Sequence, residues 1–158
     1  MTPLSRVAFI GNSLPRRCGI ATFTTDLQQA VAAAQPQLKT MIVAMNDEGH
    51  AYDYPSVVRI QIHDQKLTDY VHAADVLNAA QVDVVCLQHE YGIYGGAAGD
   101  HVMALLSRLS MPIVTTLHTV LSEPTPVQRA VTEKIIDVSA RIIVMAEKAK
   151  TLLQTVYG

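Results

Sequence analysis

Cysteine is scarce in this chain of 158 residues, where Cys18 and Cys86 are the only two. One sits in a basic loop and the other in an apolar run, so neither a disulfide framework nor a zinc site follows. That usage fits a reducing compartment. No apolar run approaches the ~20 residues a membrane-spanning helix needs. Arg16-Arg17 is followed by no long apolar segment or small-residue cleavage site, so it does not read as an export signal. The expected location is the cytoplasm. An excess of either charge is also missing: 12 Lys and Arg stand against 14 Asp and Glu, a net charge of −2. Nucleic acid therefore has no electrostatic case as a partner.

Missing motifs narrow the chemistry further. Gly11 is followed by Asn12-Ser13-Leu14-Pro15-Arg16, so the dinucleotide fingerprint G-x-G-x-x-G is lacking. G-K-[ST] does not occur, which excludes a P-loop. His89-Glu90 is followed by Ile93 where a zincin motif needs histidine. No acidic cluster follows the first strand, as metal-dependent phosphoryl transfer would require. Neither a metal nor another cofactor is implied.

What the chain does hold is apolar residue, 49% of it, with only 16% charged. At this length it reads as one domain, 1–158, able to bury roughly 70% of its unfolded surface. Val7 to Ile10 reads as a buried strand ending at Gly11. A rigid loop follows (Pro15, Arg16, Arg17, Cys18), and Gly19 opens a helix with Phe23, Leu27, Ala30, Val31 and Ala34 on its apolar face. Pro36 ends that helix. Thr40 to Met45 is a second strand and Val57 to Ile62 a third, outer one. A helix is predicted from Leu67 to Ala80, with Leu67, Val71, Ala74 and Leu77 or Asn78 facing inward. Val82 to Leu87 is a strand, Ala98 to Leu109 a helix, and Pro112 to Leu117 a strand whose proline sits first. Thr125, Pro126 and Gln128 spell a helix start with a capping box, ahead of an inward face of Val127, Ala130, Val131, Ile135 and Val138. Arg141 to Met145 is the last strand, followed by a helix carrying Ala146, Ala149, Leu152, Leu153 and Val156.

Short apolar strands alternating with amphipathic helices define an α/β domain with a parallel sheet covered on both faces. Right-handed crossovers predict a doubly wound, Rossmann-like, six-stranded sheet in the order 3-2-1-4-5-6. Ligands of such sheets bind beyond the strand carboxyl ends, where the winding reverses between strands one and four. Three polar stretches collect there: Gly11 to Gly19, Gln88 to Gly96, and His118-Thr119. The first offers a helix N-terminus and two arginines to an anion. In the second, Glu90 can accept from hydroxyls, and Tyr91 and Tyr94 either stack on a sugar ring, if exposed, or pack on the core, the two being equally open for Tyr94. In the third, His118 can donate to a hydroxyl or move a proton. Cys18 beside two arginines is a candidate for a lowered pKa, but no base partner can be assigned to it.

Together P-R-R-C-G-I-A-T-F, Q-H-E-Y-G-I-Y-G-G and T-L-H-T resemble the N-terminal half of GT-B glycosyltransferases of family 4, the group 1 retaining enzymes. The resemblance runs from about Arg6 onward. It implies that Arg17, Cys18, Gly19 and Ile20 lie against the diphosphate of a nucleotide-sugar donor, and that His118 is catalytic, contacting the donor sugar. It also implies that Arg16, Glu90, Tyr91, Gly92 and Tyr94 line the side of a sugar or lipid-linked acceptor. Family members carry a second Rossmann-like domain with the nucleotide site and an E-x7-E element, which this chain lacks; Tyr157-Gly158 falls about where the connection would begin. The expectation is an acceptor-side domain, inactive alone, of an enzyme that moves a hexose with retention. Two other readings stand beside it. One is a non-catalytic module binding a phosphorylated or nucleotide ligand; the other is a cysteine-dependent or redox enzyme.

Overall fold

The computed structural model describes residues 3–158. Strands β1 (Arg6–Gly11), β2 (Lys39–Asn46), β3 (Val58–His63), β4 (Val84–His89), β5 (Ile113–Leu117) and β6 (Arg141–Ile143) form one parallel sheet. Its order is β3-β2-β1-β4-β5-β6, the predicted doubly wound, Rossmann-like arrangement. The helices are α1 (Gly19–Ala34), α2 (Leu67–Ala79), α3 (Met103–Leu106), α4 (Pro126–Val138) and α5 (Glu147–Leu152), the last continued by a wider turn to Tyr157. No helix among the described residues is long and apolar enough to cross a membrane.

Winding in both directions gives the sheet two unlike faces. Val7, Phe9, Ile42 and Ala44 meet Leu27 and Val31 of α1. Ala8, Ile10, Val43, Met45, Val85 and Leu87 share the larger core with Tyr70 and Leu77 of α2, Leu105 of α3, and Val131 and Ile135 of α4. The entrance to β1 is pinned by Asp83, whose carboxylate accepts from the backbone N–H groups of Ser5 (2.7 Å) and Arg6 (2.8 Å). Those two bonds hold its carboxyl below the usual carboxylate range.

On several helices the buried set overlaps the predicted apolar face only in part: Leu27 and Val31 of α1, Ala74 and Leu77 of α2, and Val131 and Ile135 of α4 face the core as predicted, and other positions differ. On α1 the buried residues are Ala21, Thr24, Thr25 and Gln28, while Ala30 and Ala34 are exposed. The polar ones are tolerated because each is bonded. Thr24 Oγ1 donates to the Ile20 carbonyl at 2.8 Å, and Gln28 Nε2 donates to Thr40 Oγ1 at 2.8 Å. On α2 the inward set is Tyr70, Ala73, Ala74 and Leu77, and Leu67 is 49% exposed. On α4 it is Val131, Thr132 and Ile135, with Val127 and Ala130 exposed.

The helix expected over 98–109 shrinks to Met103–Leu106. Ala98 (φ 53°) and Gly99 (φ 79°) lie in the left-handed region and interrupt it from the front. Behind it, the Asn78 side chain takes the place of a further turn, donating to the Arg108 carbonyl at 2.8 Å and accepting from Ser110 N at 3.0 Å. The capping box of α4 is present as read, with Thr125 Oγ1 accepting from Gln128 N and Gln128 Oε1 accepting from Thr125 N.

Gly11, at the end of β1, is closely packed. A Cβ there would lie 2.9 Å from Thr24 Oγ1 and 3.1 Å from Gln88 Cβ. At Gly19 a Cβ would meet nothing within 4 Å. Gly11→Ala is therefore expected to cost about 1–3 kcal/mol through overpacking. Gly19→Ala should leave stability unchanged or raise it by up to ~1 kcal/mol through helix propensity. Urea unfolding of the two variants checks this, and equal losses would contradict the contrast. By the same measurement Thr125→Ala should cost about 1 kcal/mol.

Candidate functional site

The carboxyl ends of β1, β4 and β5 place their loops side by side, since β4 lies between β1 and β5. The first loop is folded back on its own helix. Ser13 Oγ lies 3.4 Å from Thr25 Oγ1, which also accepts from Leu14 N at 3.2 Å. Its two arginines have separated roles. Arg16, with a side chain only 17% exposed, reaches inward to Asn12 Oδ1 (3.1 Å), the Met45 carbonyl (3.2 Å) and Asp47 (3.5 Å). It clamps the ends of β1 and β2 together, so its guanidinium is occupied by the protein. Arg17 is exposed and has no hydrogen-bond partner among the described residues.

Cys18 caps α1. Its Sγ accepts from Ala21 N and from Asn12 Nδ2, both at 3.3 Å. The thiol is thus a structural acceptor, and no imidazole touches it. Capping through Ala21 leaves the N–H groups of Gly19 and Ile20 pointing out of a helix of 16 residues, where intrahelical bonding cannot reach them. With open space beside Gly19 and Arg17 alongside, this end of α1 can receive an anion.

One turn further along α1, Phe23 sets its ring against that of His118, centroids 4.8 Å apart and planes at 90°. His118 stands at the end of β5. Its backbone N–H donates to the His89 carbonyl at 3.0 Å, and its Nε2 lies 2.9 Å from Gln88 Oε1. Partial burial holds the imidazole below its ordinary pKa, against an opposing pull from the Glu90 carboxylate. Glu90 is itself fixed, since Oε1 accepts from Tyr91 N at 2.8 Å and Oε2 accepts a short bond from Thr119 Oγ1. The structure thereby brings His118, Glu90 and the front of α1 to one edge.

The loop after β4 divides between cleft and interior. Gly92 is exposed, and a Cβ there would meet nothing. Tyr91 turns away, its hydroxyl 2.6 Å from Thr132 Oγ1 on α4, and burial pushes its pKa up to about 12. Of the two sequence readings of Tyr94, stacking surface or core residue, the structure takes the second: it is 4% exposed, and its hydroxyl donates to the Gln88 carbonyl at 2.7 Å. The loop glycines answer to packing as well. At Gly95 a Cβ would fall 1.9 Å from the Asp64 carbonyl oxygen, which also accepts from the Tyr70 hydroxyl.

Gln88, Asn12 and Thr119 lie within the polar stretches read from the sequence and Phe23 on the apolar face of α1, but none of the four carries an individual role there. Gln88 carried a signal: an amide in the last turn of an apolar strand run must find partners. His89, beside Gln88, is fully buried between Tyr91 and Tyr94, and neither ring nitrogen has a hydrogen-bond partner. Among the described residues no three His, Cys, Asp or Glu groups cluster as metal ligands.

Compared with models of protein families and with curated proteins, the chain matches none.

Burial, with a smaller contribution from His118, lowers the pKa of His89 from 6.5 to about 4. The depressed value fixes the sign. Stability that this group contributes is present above pH ~6.5 and is lost as pH falls toward ~4, at up to about 1.4 kcal/mol per unit for each proton. His118 is shifted the same way and adds to that limb. His89→Phe should reduce the slope of unfolding free energy between pH 6.5 and 4. It should also raise stability at pH 7 by about 1 kcal/mol, since two unpaired buried nitrogens disappear. An unchanged slope would show that His89 is not held neutral.

Proposed function

We propose that this chain is the acceptor-side domain of a retaining GT-B glycosyltransferase of family 4, moving a hexose from a nucleotide-diphosphate sugar to a sugar or lipid-linked acceptor. The observation that carries the reading is the shared edge: the open N-terminus of α1, His118 behind Phe23, and the Glu90–Thr119 pair. In this reading the N–H groups of Gly19 and Ile20, with Arg17, receive the donor diphosphate, and His118 hydrogen-bonds the transferred sugar. Cys18 holds the helix end in shape. Glu90 and Gly92 face the acceptor, while Arg16, Tyr91 and Tyr94 build the loops that present them.

Magnitudes say how much this wall can do. A helix N-terminus favours an anion by about 0.3–1 kcal/mol, or ~2 when partly buried. Enzymes lower barriers by roughly 8 kcal/mol or more. Most stabilisation of the departing diphosphate must therefore come from groups across the cleft, on a second domain. The chain alone is expected to bind nucleotide sugar weakly and to transfer nothing. No metal or cofactor enters this scheme.

Joined to a donor-binding domain, the chain should transfer hexose, and His118→Ala should lower kcat/KM by roughly tenfold or more. Unchanged turnover would remove His118 from the mechanism. Calorimetric titration of the chain alone separates the competing module: tight binding of a nucleotide sugar without transfer would replace the transferase reading.

A further inference from the structure

We propose that Gln88 is a positioning residue that fixes the ring orientation and tautomer of His118, so that His118 meets a ligand hydroxyl as an acceptor. This rests on the transferase reading for its purpose, though not for its test. Gln88 is 0% exposed, and its Oε1 lies 2.9 Å from His118 Nε2. A carbonyl oxygen can only accept, so the proton sits on Nε2 and Nδ1 carries the lone pair. That is also the tautomer a free histidine side chain favours, so fold and intrinsic preference agree. Nδ1 has no hydrogen-bond partner among the described residues and is the nitrogen left for a ligand.

Both partners are held so that neither can turn away. The Gln88 side chain is wedged against Gly11, where even a methyl group would come within 3.1 Å of its Cβ, and its backbone carbonyl accepts from Tyr94. His118 is held by its backbone bond to His89 and by the edge contact with Phe23. The other ionisable groups that face the ring are Glu90, in the loop after β4, and His89 at the strand end. The buried Gln88 Nε2 has no partner. A fully buried amide with one half unpaired is costly to keep for packing alone. Its paired half is the one that holds His118. The same contacts bear on Gly11, because a Cβ there would press on Thr24 Oγ1 and on the Cβ and Cγ of Gln88, the stem that carries the amide.

The test is nitrogen-15 NMR of the His118 ring in the chain without ligand, so its outcome is independent of whether the protein transfers sugar. The wild type should show a pyrrole-like Nε2 with a slowly exchanging proton and a pyridine-like Nδ1. Gln88→Met should lose the protected Nε2 proton while amide dispersion shows the fold intact. Gln88→Glu should restore it and raise the His118 pKa by about one unit or more, through a facing carboxylate. A wild-type proton on Nδ1, or a protected Nε2 proton that survives in Gln88→Met, would overturn the proposal. If Gln88→Met does not fold, an unshifted pKa in Gln88→Glu would overturn it equally. Kinetics separate this from the transferase reading. In an active enzyme Gln88→Met should reduce kcat more than it changes KM, whereas failure of the transferase reading leaves the ring chemistry standing.

Discussion

The structure depends on how closely β1, β4 and α1 approach one another. Val7 to Ile10 of β1 pair in parallel with Val84 to Leu87 of β4, joining segments separated by most of the first half of the chain. Here the winding reverses, and the two strand ends open onto a common space. The pairing is buried on both faces and anchored at its entrance by Asp83. At its exit, Gly11 leaves room for Thr24 on one side and Gln88 on the other. Widening that gap would move α1, and with it the helix end and Phe23, away from His118. Fold and cleft therefore share one steric condition.

Polarity at the exit is built from residues that spend part of their bonding capacity on the protein. Arg16 ties two strand ends, Cys18 caps a helix, and Thr119 orients Glu90. Their neighbours Arg17, Gly19 and Gly92 are left unpaired or uncrowded. A rigid inner ring holding an open outer one is the arrangement expected where ligand geometry must be set before binding.

Strand order and the α4 cap were legible in the sequence because apolar run lengths, crossover handedness and the Thr125–Gln128 pattern each have one favoured solution. The helix faces were less so. Spacing on α1 pointed to Ala30 and Ala34, yet Thr24, Thr25 and Gln28 are buried because specific partners satisfy them: Thr24 bonds within the helix to the Ile20 carbonyl, while the partners of Thr25 and Gln28 lie on the loop after β1 and on β2. Arg16 and Arg17 are chemically equal in the sequence; only the position of Met45 and Asp47 at the end of β2 separates clamp from free cation. The sequence left Tyr94 open between a stacking surface and a core residue, and the fold buries it as a donor to Gln88. Loops whose side chains choose between inside and outside are decided by neighbours far along the chain.

The central claim is that α1, the end of β4 and the end of β5 form one wall of a nucleotide-sugar site. The most direct measurement is a two-dimensional amide NMR titration of the chain with nucleotide-diphosphate hexoses, compared with the nucleotide diphosphate alone. The account predicts that both ligands move the signals of Arg17, Gly19 and Ile20, and that only the sugar-bearing ligand also moves His118 and Thr119. Shifts confined to another surface, such as the crevice between Ile136 and Leu153, would contradict it.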